Sequence, residues 1–400
     1  MMRACFAFLL VLLLCLAQAQ DKAKPEFDIY SLNSIESATL TTTFFNAFYG
    51  GSFIDSTTKW DAVNQLGNKN KLGFFSLNRS EFRFAATKKF SPYVSASHQS
   101  MIGMEFPQKL FQLVFTGNNS LVGEEVQMKP SRLERWHFST AIGGVGFQPN
   151  ESIRIFAGAG PAVVYSYGKV DFGKSSFFTS VSADSVSLQL SGQYERSNSY
   201  PIVNGIGFAA ELGIAGQTGQ FNWKILASNL GYVWFNSKSV NSQRDSLLYF
   251  TGLNIDDLSH FSAAVDDELN QFESDLQLEG DTAKLHSSLP FMLYGQCMTQ
   301  YHNLGLSLSV LQIGLPGFIP RIGFDISWPE QSKVKVVVPM KYGGYGGFNI
   351  GLGIESRIAK NITFTLCVPS LMSFSNELSP VSYILESKLT YKISRNESIF

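Results

Sequence analysis

The sequence has little charge, no surplus of positive charge and few cysteines. Asp, Glu, Lys and Arg make up 16% of the 400 residues, and the formal net charge is −1. Average soluble domains carry about 25% charged residues. A nucleic-acid-binding chain normally shows a basic excess, so nucleic acid is not an expected partner. The four cysteines, of which Cys5 and Cys15 precede residue 20, are too few for a disulfide framework.

Long apolar runs are also missing beyond the first twenty residues. A membrane-spanning helix needs about 18 or more consecutive apolar residues, and no such stretch follows residue 20. Nevertheless, 44% of the residues are apolar, and 34 Phe help to raise the aromatic content to 14%. A disordered chain would be poor in aromatic residues. The sequence therefore predicts a folded protein whose apolar residues are spread along the chain.

The first twenty residues are typical of a secretory signal peptide. Arg3 precedes an apolar segment over 4–16, and a small-x-small pattern ends at Ala19. We expect cleavage between Ala19 and Gln20, which removes residues 1–19 and leaves 20–400 as one domain. The signal peptide predicts export.

Apolar and polar residues alternate along most of the remaining chain. In residues 383–393, one face carries Leu385 and Tyr391, and the other carries Glu386 and Lys388. Side chains alternate between the two faces of a strand, and a transmembrane strand has about 9–11 residues with aromatic residues near its ends. A β-sandwich would bury one face in a packed core, whereas small and polar residues suit a hydrated or plugged lumen. The alternation therefore favours an all-β, transmembrane antiparallel β-barrel.

The chain length brackets the number of strands. With about 9–11 residues in each strand, plus turns and loops, the chain supplies roughly 12 to 16 strands, and since such barrels usually have even numbers we predict 14. Fifteen segments have strand-like patterns, so at least one is wrong or one is missing. These segments are 39–49, 71–87, 91–104, 132–147, 152–168, 174–182, 185–196, 204–216, 220–235, 290–300, 303–312, 333–342, 346–358, 361–368 and 382–393.

Two segments have helical patterns instead. Residues 107–116 begin with a proline and are followed by Gly117, which is common punctuation of a short helix. In residues 254–278, apolar residues recur every three or four positions, as on one face of a helix. Residues 254–281 include nine acids and no Lys or Arg. A helix that lies on anionic lipid would have a basic polar face, so we do not expect this helix to bind a membrane surface. It remains open whether this acidic helix only packs on the barrel rim, docks a protein partner or gates the lumen.

Residues that could carry enzyme chemistry are few. The five histidines are not at metal-ligand spacing, and an alternating strand follows the glycines at 343–347 where a phosphate-binding loop needs a helix. His98 and Ser100 fall on one face of a strand and resemble the His-x-Ser pair of outer-membrane phospholipases. However, Met101 and Ile102 follow where that family has Asn-Gly. We predict no enzyme activity and no cofactor or metal, and interpret His98 and Ser100 as lumen-facing polar residues.

Three motifs give the chain a family resemblance. They are Phe106 to Asn118, Ser228-Asn229-Leu230-Gly231 with Trp234, and Leu289-Pro290 followed by Tyr294-Gly295. Their order resembles an uncharacterised outer-membrane β-barrel family, of unknown function and found mainly in Bacteroidota. That family is similar, at a distance, to the long-chain fatty-acid transporter barrels. The resemblance implies a barrel in the cell outer membrane and implies no chemistry.

The end of the chain completes the expectation of an outer-membrane barrel. Tyr391, Ile393 and Phe400 resemble the terminal signal for membrane insertion, so we expect the barrel-assembly machinery and outer-membrane lipid as partners. The leading hypothesis for function is the passage or binding of small hydrophobic molecules. One alternative is a non-transporting scaffold linked to secretion or surface assembly, with a protein partner at residues 254–281. The other is a lipid hydrolase built on His98 and Ser100.

Overall fold

Alternating side chains build a single sheet that closes into a barrel. The structure is a computed structural model that describes residues 25–85, 89–198, 202–236, 239–250, 284–371 and 378–393. The expected signal peptide, the expected acidic helix at 254–278 and Phe400 lie outside these residues.

Within the described residues, the sheet contains twenty strands, and three α-helices lie between the early ones. In chain order the strands are β1 (Glu26–Thr41), β2 (Asn70–Arg83), β3 (Phe90–Phe106), β4 (Glu125–Gln127), β5 (Ser131–Asn150), β6 (Ile153–Phe172), β7 (Ser176–Thr179), β8 (Val186–Arg196), β9 (Gly205–Thr218), β10 (Phe221–Phe235), β11 (Val240–Phe250), β12 (His286–Ser288), β13 (Met292–Tyr301), β14 (Leu304–Ile313), β15 (Ile319–Trp328), β16 (Val334–Gly344), β17 (Phe348–Ile350), β18 (Leu352–Ala359), β19 (Ile362–Val368) and β20 (Pro380–Lys392). The helices are α1 (Thr42–Tyr49), α2 (Ser56–Gln65) and α3 (Gln108–Thr116).

Strand β1 closes the barrel because it pairs with both β2 and β20. The wall has fourteen antiparallel positions, as predicted. β12 and β13 share one position beside β10, and β17 and β18 share one beside β16. Strands β4, β7, β8 and β11 extend the sheet beyond the wall, where β8 pairs with the last residues of β6 and with β11.

Three of the fifteen predicted segments are not wall strands. Segment 39–49 is wrong because most of it is α1, which starts where the Thr41 hydroxyl accepts a hydrogen bond from the Phe44 amide at 3.3 Å. Segments 174–182 and 185–196 contain β7 and β8, which lie beyond the wall. The wall strands β1 and β15 were missed, since β1 has polar residues on both faces and Pro320 lies inside β15. The predicted helix at 107–116 is confirmed as α3, whereas α1 and α2 were not predicted.

The two ends of the barrel differ in the length of their connections. Turns at 151–152, 219–220, 302–303 and 360–361 lie at one end, which we call the turn end. Pro25 lies there too, and its carbonyl accepts a hydrogen bond from the Ile393 amide at 2.9 Å. The long connections at 42–69, 107–130 and 173–204 lie at the other end, the loop end. In outer-membrane barrels, short turns are periplasmic and longer loops are extracellular.

The outer surface of the wall is largely apolar. On β14 and β15, Leu308, Val310, Ile322 and Phe324 point outward and are exposed, and inward-facing neighbours such as Asp325 line the bore. Such a belt is stable only against hydrocarbon, so the chain is a transmembrane β-barrel. None of the helices within the described ranges is long and apolar enough to cross a membrane.

The half of the bore near the loop end is filled with apolar side chains. Trp136, Phe138 and Met101 project from the wall and are fully buried. They pack with five residues from the loop-end connections, which we call the apolar plug: Leu285, Leu289, Leu315, Phe318 and Tyr345. A second apolar cluster joins the helices to the wall, where Phe111 of α3 contacts Phe44 of α1 with ring centroids 4.9 Å apart.

Candidate functional site

An inner cavity of about 720 Å³ occupies the bore on the turn-end side of the apolar plug. Its lining runs from Asp28, Arg83 and Lys388, near the turn end, to Met292 and Leu311 close to the plug. Its lining combines charged and polar side chains with aliphatic and aromatic ones from the inward-facing positions of the wall strands.

Arg79 carries a network of ion pairs across this cavity. Its guanidinium donates to both carboxylate oxygens of Glu211, at 2.8 and 3.0 Å, and to Glu81 at 2.7 Å. Glu81 also accepts from Arg83 at 2.6 Å. Arg79 and Glu211 lie on β2 and β9, which are separated by three wall strands, so the pair ties together distant parts of the barrel.

Further polar contacts lie on the other side of the bore. The Lys341 ammonium donates to Glu386 at 2.8 Å, and the Tyr30 hydroxyl donates to the same carboxylate at 3.3 Å. Arg321 of β15 forms an ion pair with Glu36 of β1, and both side chains are buried. These contacts satisfy charges that would otherwise be costly inside the barrel.

The cavity also contains cations without an acidic partner. Among the described residues, Lys224 makes no ion pair, and its ammonium lies 5.3 Å from the centre of the Phe156 ring. Arg154 donates to the Ser91 hydroxyl at 2.6 Å and makes no ion pair with a described residue. On the opposite wall, Asp325 has a buried carboxylate oxygen with no hydrogen-bond partner within the described ranges. The cavity therefore offers charged groups of both signs next to aromatic and aliphatic surface.

Strand β10 contains a bulge at Asn229 that joins two of the sequence motifs. The pairing of β10 with β9 shifts between Ala227 and Leu230, and Asn229 adopts a positive φ of 57°. Its amide nitrogen donates to Gln99 at 3.0 Å and to the Pro290 carbonyl at 3.2 Å, and its amide oxygen accepts from Gln99 at 3.1 Å. Asparagine tolerates this left-handed conformation better than most residues. The motifs at 228–231 and 289–290 therefore specify one junction in the wall.

An outer cavity of about 750 Å³ lies on the loop-end side of the apolar plug. Lys71, Glu105, Arg132 and Lys169 contribute charged groups to its lining, and Leu315 and Phe318 of the plug form part of its floor. The plug therefore separates the two cavities.

Tyr345 holds the apolar plug in place. Its hydroxyl donates to the Pro316 carbonyl at 2.9 Å, and its ring contacts Phe318 with centroids 5.4 Å apart. The ring reaches across the bore to Gly73 and Gly103, where a Cβ atom would lie only 1.8 and 2.2 Å from the nearest Tyr345 atom. Burial raises the pKa of Tyr345, so the hydroxyl stays protonated and remains a donor.

His98 and Ser100 share one face of β3, as predicted, but they lie on the outer side of the wall and do not face the lumen. Their neighbours Ser97 and Gln99 line the inner cavity, so His98 and Ser100 face outward. His98 contacts the hydroxyl of Ser139 at 2.9 Å and the imidazole of His137 at 3.1 Å, rather than Ser100. Polarity alone did not reveal the orientation, because strand alternation fixes only which residues share a face.

The charged residues of the bore were missed by the sequence analysis. Glu211 is a single charge inside a predicted strand segment, and Arg79 alternates with Glu81 and Arg83 on one face of another, which was the available signal. Glu36 and Arg321 lie on β1 and β15, which were not predicted. Of the expected insertion signal, Tyr391 lies on β20, and Phe400 lies outside the described residues.

A family model matches residues 27–366. The chain belongs to the Family of unknown function (DUF5723). No curated protein matches this DUF5723 chain.

Solved structures match the DUF5723 chain at low sequence identity. The toluene transporter TbuX from Ralstonia pickettii is 10% identical, with 93% of this chain and 89% of that chain covered and a TM-score of 0.43. The toluene transporter TodX from Pseudomonas putida is 8% identical, with 94% and 91% covered and a TM-score of 0.43. A FadL homologue from Pseudomonas aeruginosa is 10% identical, with 94% and 91% covered and a TM-score of 0.42.

Proposed function

We propose that this barrel lies in the outer membrane, binds small, largely apolar molecules in its bore and passes them between the loop end and the turn end. The observation that carries the proposal is the arrangement of two cavities, of about 750 and 720 Å³, on either side of one apolar plug. Both volumes fall within the roughly 300–1,000 Å³ of small-molecule sites. A molecule of that size fits either cavity and crosses when the plug moves.

The composition of the plug supports such a movement. Its five residues come from connections, whereas the wall around them is held by strand pairing. Connections open at lower free energy than the strands that flank them. Gly343 and Gly344 have positive φ values of 99° and 70° directly before Tyr345, and Gly317, at 77°, directly precedes Phe318. Backbone freedom at these glycines lets the connections move while the wall keeps its shape.

The lining of the inner cavity supports a ligand with an apolar body. The cavity is apolar near the plug, at Leu32, Leu311 and Met292, and has aromatic side chains nearer the turn end, at Phe156 and Trp223. Binding sites are commonly apolar with a few polar groups that orient the ligand. Most of the charged groups here pair with one another, which leaves the apolar wall for the ligand body and leaves Lys224, Arg154 and Asp325 to orient it.

A pair of substitutions on β14 tests the proposal. Leu311 lines the inner cavity, and Leu308 faces the lipid on the same strand. Purified barrels in liposomes are assayed for uptake of a radiolabelled monoaromatic hydrocarbon, with protein-free liposomes as background. We expect Leu311→Trp to reduce the protein-dependent uptake at least about tenfold by filling the cavity, and Leu308→Trp to leave it unchanged. Equal uptake by both variants, or none by the unsubstituted protein, contradicts the proposal.

Several expectations from the sequence stay part of this proposal. They are cleavage between Ala19 and Gln20, insertion by the barrel-assembly machinery through Tyr391, Ile393 and Phe400, and docking of a protein partner at residues 254–281. Deletion of 254–281 tests the last of these. If the segment docks a partner, the deletion releases that partner while the barrel keeps its heat-modifiable gel mobility.

A further inference from the structure

The outward face of the barrel differs between its two sides. On β14, β15 and β16, the outward residues at mid-strand are apolar, as at Leu308, Phe324 and Val336. On the opposite side, polar side chains interrupt the apolar belt. We call these residues the polar band: Ser387 of β20, Ser31 and Asn33 of β1, Ser76 and Asn78 of β2, His98 and Ser100 of β3, His137 and Ser139 of β5, and Tyr165 of β6.

Strand register aligns the polar band into two rows. One row runs through the paired residues Ser387, Ser31, Asn78, His98 and Ser139. The second runs through Asn33, Ser76, Ser100 and His137. Residues paired in this way lie side by side on one face of a sheet, so the band is continuous across five neighbouring wall strands and reaches Tyr165 on a sixth.

The polar band lies within the depth of the apolar belt. On β1, Ile29 lies on the turn-end side of the band and Ile35 on the loop-end side, and both face outward like the band. On β3, Val94 and Ile102 flank His98 in the same way. On these two strands apolar side chains flank the band on both sides, so the band does not lie at an aqueous end of the barrel there. On β5, the exposed Arg135 pairs with Ile102 and lies on the loop-end side of His137.

Members of the band bond to one another and leave further groups available. The Ser31 hydroxyl donates to Asn78 at 2.8 Å, and the Ser76 hydroxyl donates to Asn33 at 2.7 Å. Tyr165 donates to Ser139 at 3.1 Å, and Ser139 contacts His98. Among the described residues, the Ser100 hydroxyl and the Asn78 amide nitrogen have no hydrogen-bond partner. Polar groups left unpaired in hydrocarbon are costly.

We propose that the polar band is the interface through which two copies of this chain associate side by side in the membrane. Acyl chains cannot bond to the band, and a soluble protein cannot reach it, so its occupant is another membrane-spanning surface. The band has no Asp, Glu, Lys or Arg, and its hydroxyl, amide and imidazole groups both donate and accept. A twofold interface brings a patch against itself, and this patch can do so without repulsion between like charges.

Cysteine cross-linking of the full chain in native membranes tests the proposal. Cys297 and Cys367 are free and are first replaced by Ser. Ser76→Cys, Asn78→Cys and Ser100→Cys are then compared with Leu308→Cys, which lies on the far side of the barrel, after treatment with a short bismaleimide. We expect an adduct of twice the barrel mass from at least one band position and none from Leu308→Cys. No adduct from the band, or an adduct of another mass that indicates a different membrane protein, overturns the proposal.

A second measurement distinguishes a weakened interface from a damaged fold. In the Ser100→Cys background, His98→Leu with His137→Leu replaces two band residues by side chains that suit lipid. We expect the dimeric adduct to fall about tenfold, while heat-modifiable gel mobility is kept. A few hydrogen bonds between membrane-spanning segments change association by about this factor. Val310→Thr on the far side serves as the matched control and leaves the adduct unchanged. Full retention of the adduct in the His98→Leu, His137→Leu variant overturns the proposal.

Discussion

The ring of Tyr345 occupies the space that a side chain at Gly73 would need. A Cβ atom on Gly73 would lie 1.8 Å from Cδ2 of Tyr345, although the two residues belong to opposite sides of the wall. The glycine is therefore a requirement of the apolar plug rather than of strand β2. This contact couples the closure of the bore to one position in the wall.

Gly73→Ala is expected to displace Tyr345 and to loosen the plug. Overpacking of this kind costs roughly 1–3 kcal/mol, measured as the free energy of unfolding in urea by tryptophan fluorescence in detergent micelles. Gly347→Ala is the control, because a Cβ atom there would meet nothing within 4 Å. In Gly73→Ala with Tyr345→Ala the loss should be smaller than the sum of the two single losses. Strict additivity would show that the two residues do not compete for space.

The pair formed by Arg79 and Glu211 gives a second prediction. The Glu211 side chain is 1% exposed and that of Arg79 is 20% exposed, so Glu211→Leu leaves a guanidinium in a partly buried site. We expect the free energy of unfolding to fall by about 2–4 kcal/mol. Arg79→Met combined with Glu211→Leu should lose less than Glu211→Leu alone, because the guanidinium that has lost one of its two carboxylate partners is then removed. A larger loss in the double variant would mean that Arg79 stabilises the barrel mainly through Glu81.

The bulge at Asn229 allows side-chain bonding and backbone conformation to be separated. Asn229→Gly removes the hydrogen bonds to Gln99 and Pro290 but suits the positive φ. The free energy of unfolding should fall by roughly 1–3 kcal/mol, because the buried Gln99 amide loses its partner. Asn229→Ala loses the same bonds and should cost about 1–2 kcal/mol more, because alanine is strained in the left-handed region. Urea unfolding of the two variants side by side measures the difference. Equal stabilities would show that the bulge relaxes its φ when the side chain is shortened.

The barrel itself could be predicted from alternation because lipid imposes the same rule on every strand. Twelve of the fifteen predicted segments correspond to wall positions, and the chain length bracketed the strand number at 12 to 16, within which the favoured value of 14 is confirmed. The wrong segments lie where this rule does not apply, since α1 belongs to a loop-end connection and β8 to the sheet extension beyond the wall. The missed strands β1 and β15 are wall strands whose pattern is broken by polar residues on both faces or by a proline.

The candidate site could be predicted less well because it depends on contacts across the bore. Nothing local links Arg79 to Glu211 or Tyr345 to Gly73, since these partners meet only after the wall has closed. The outward orientation of His98 could likewise be assigned only from the strand register. The strand face that carries His98 is polar, as a lumen-facing surface is, so polarity does not distinguish the two sides. The motif at 228–231 was recognisable as a short pattern, and the positive φ of Asn229 now gives its physical reason.

The last prediction concerns pH and the cap of α2. The Asp55 carboxylate accepts a hydrogen bond from the Thr58 amide at 2.7 Å, and this bond lowers the pKa of Asp55. A carboxyl with a lowered folded-state pKa adds stability above its unfolded value of about 3.9, and loses it as the pH falls through the folded value. Hydrogen exchange of the first turn of α2 should therefore show protection that is constant near neutral pH and declines below about pH 4.

Asp55→Asn supplies the matched control for this experiment. Asparagine caps helices about as well as aspartate and does not titrate, so the ratio of exchange in the two proteins at each pH cancels the intrinsic pH dependence of exchange. We expect the unsubstituted protein to be at least as protected as Asp55→Asn near neutral pH, and less protected in acid. A ratio that stays flat from neutral pH to about pH 2.5 would mean that the Asp55 charge contributes nothing to the start of α2.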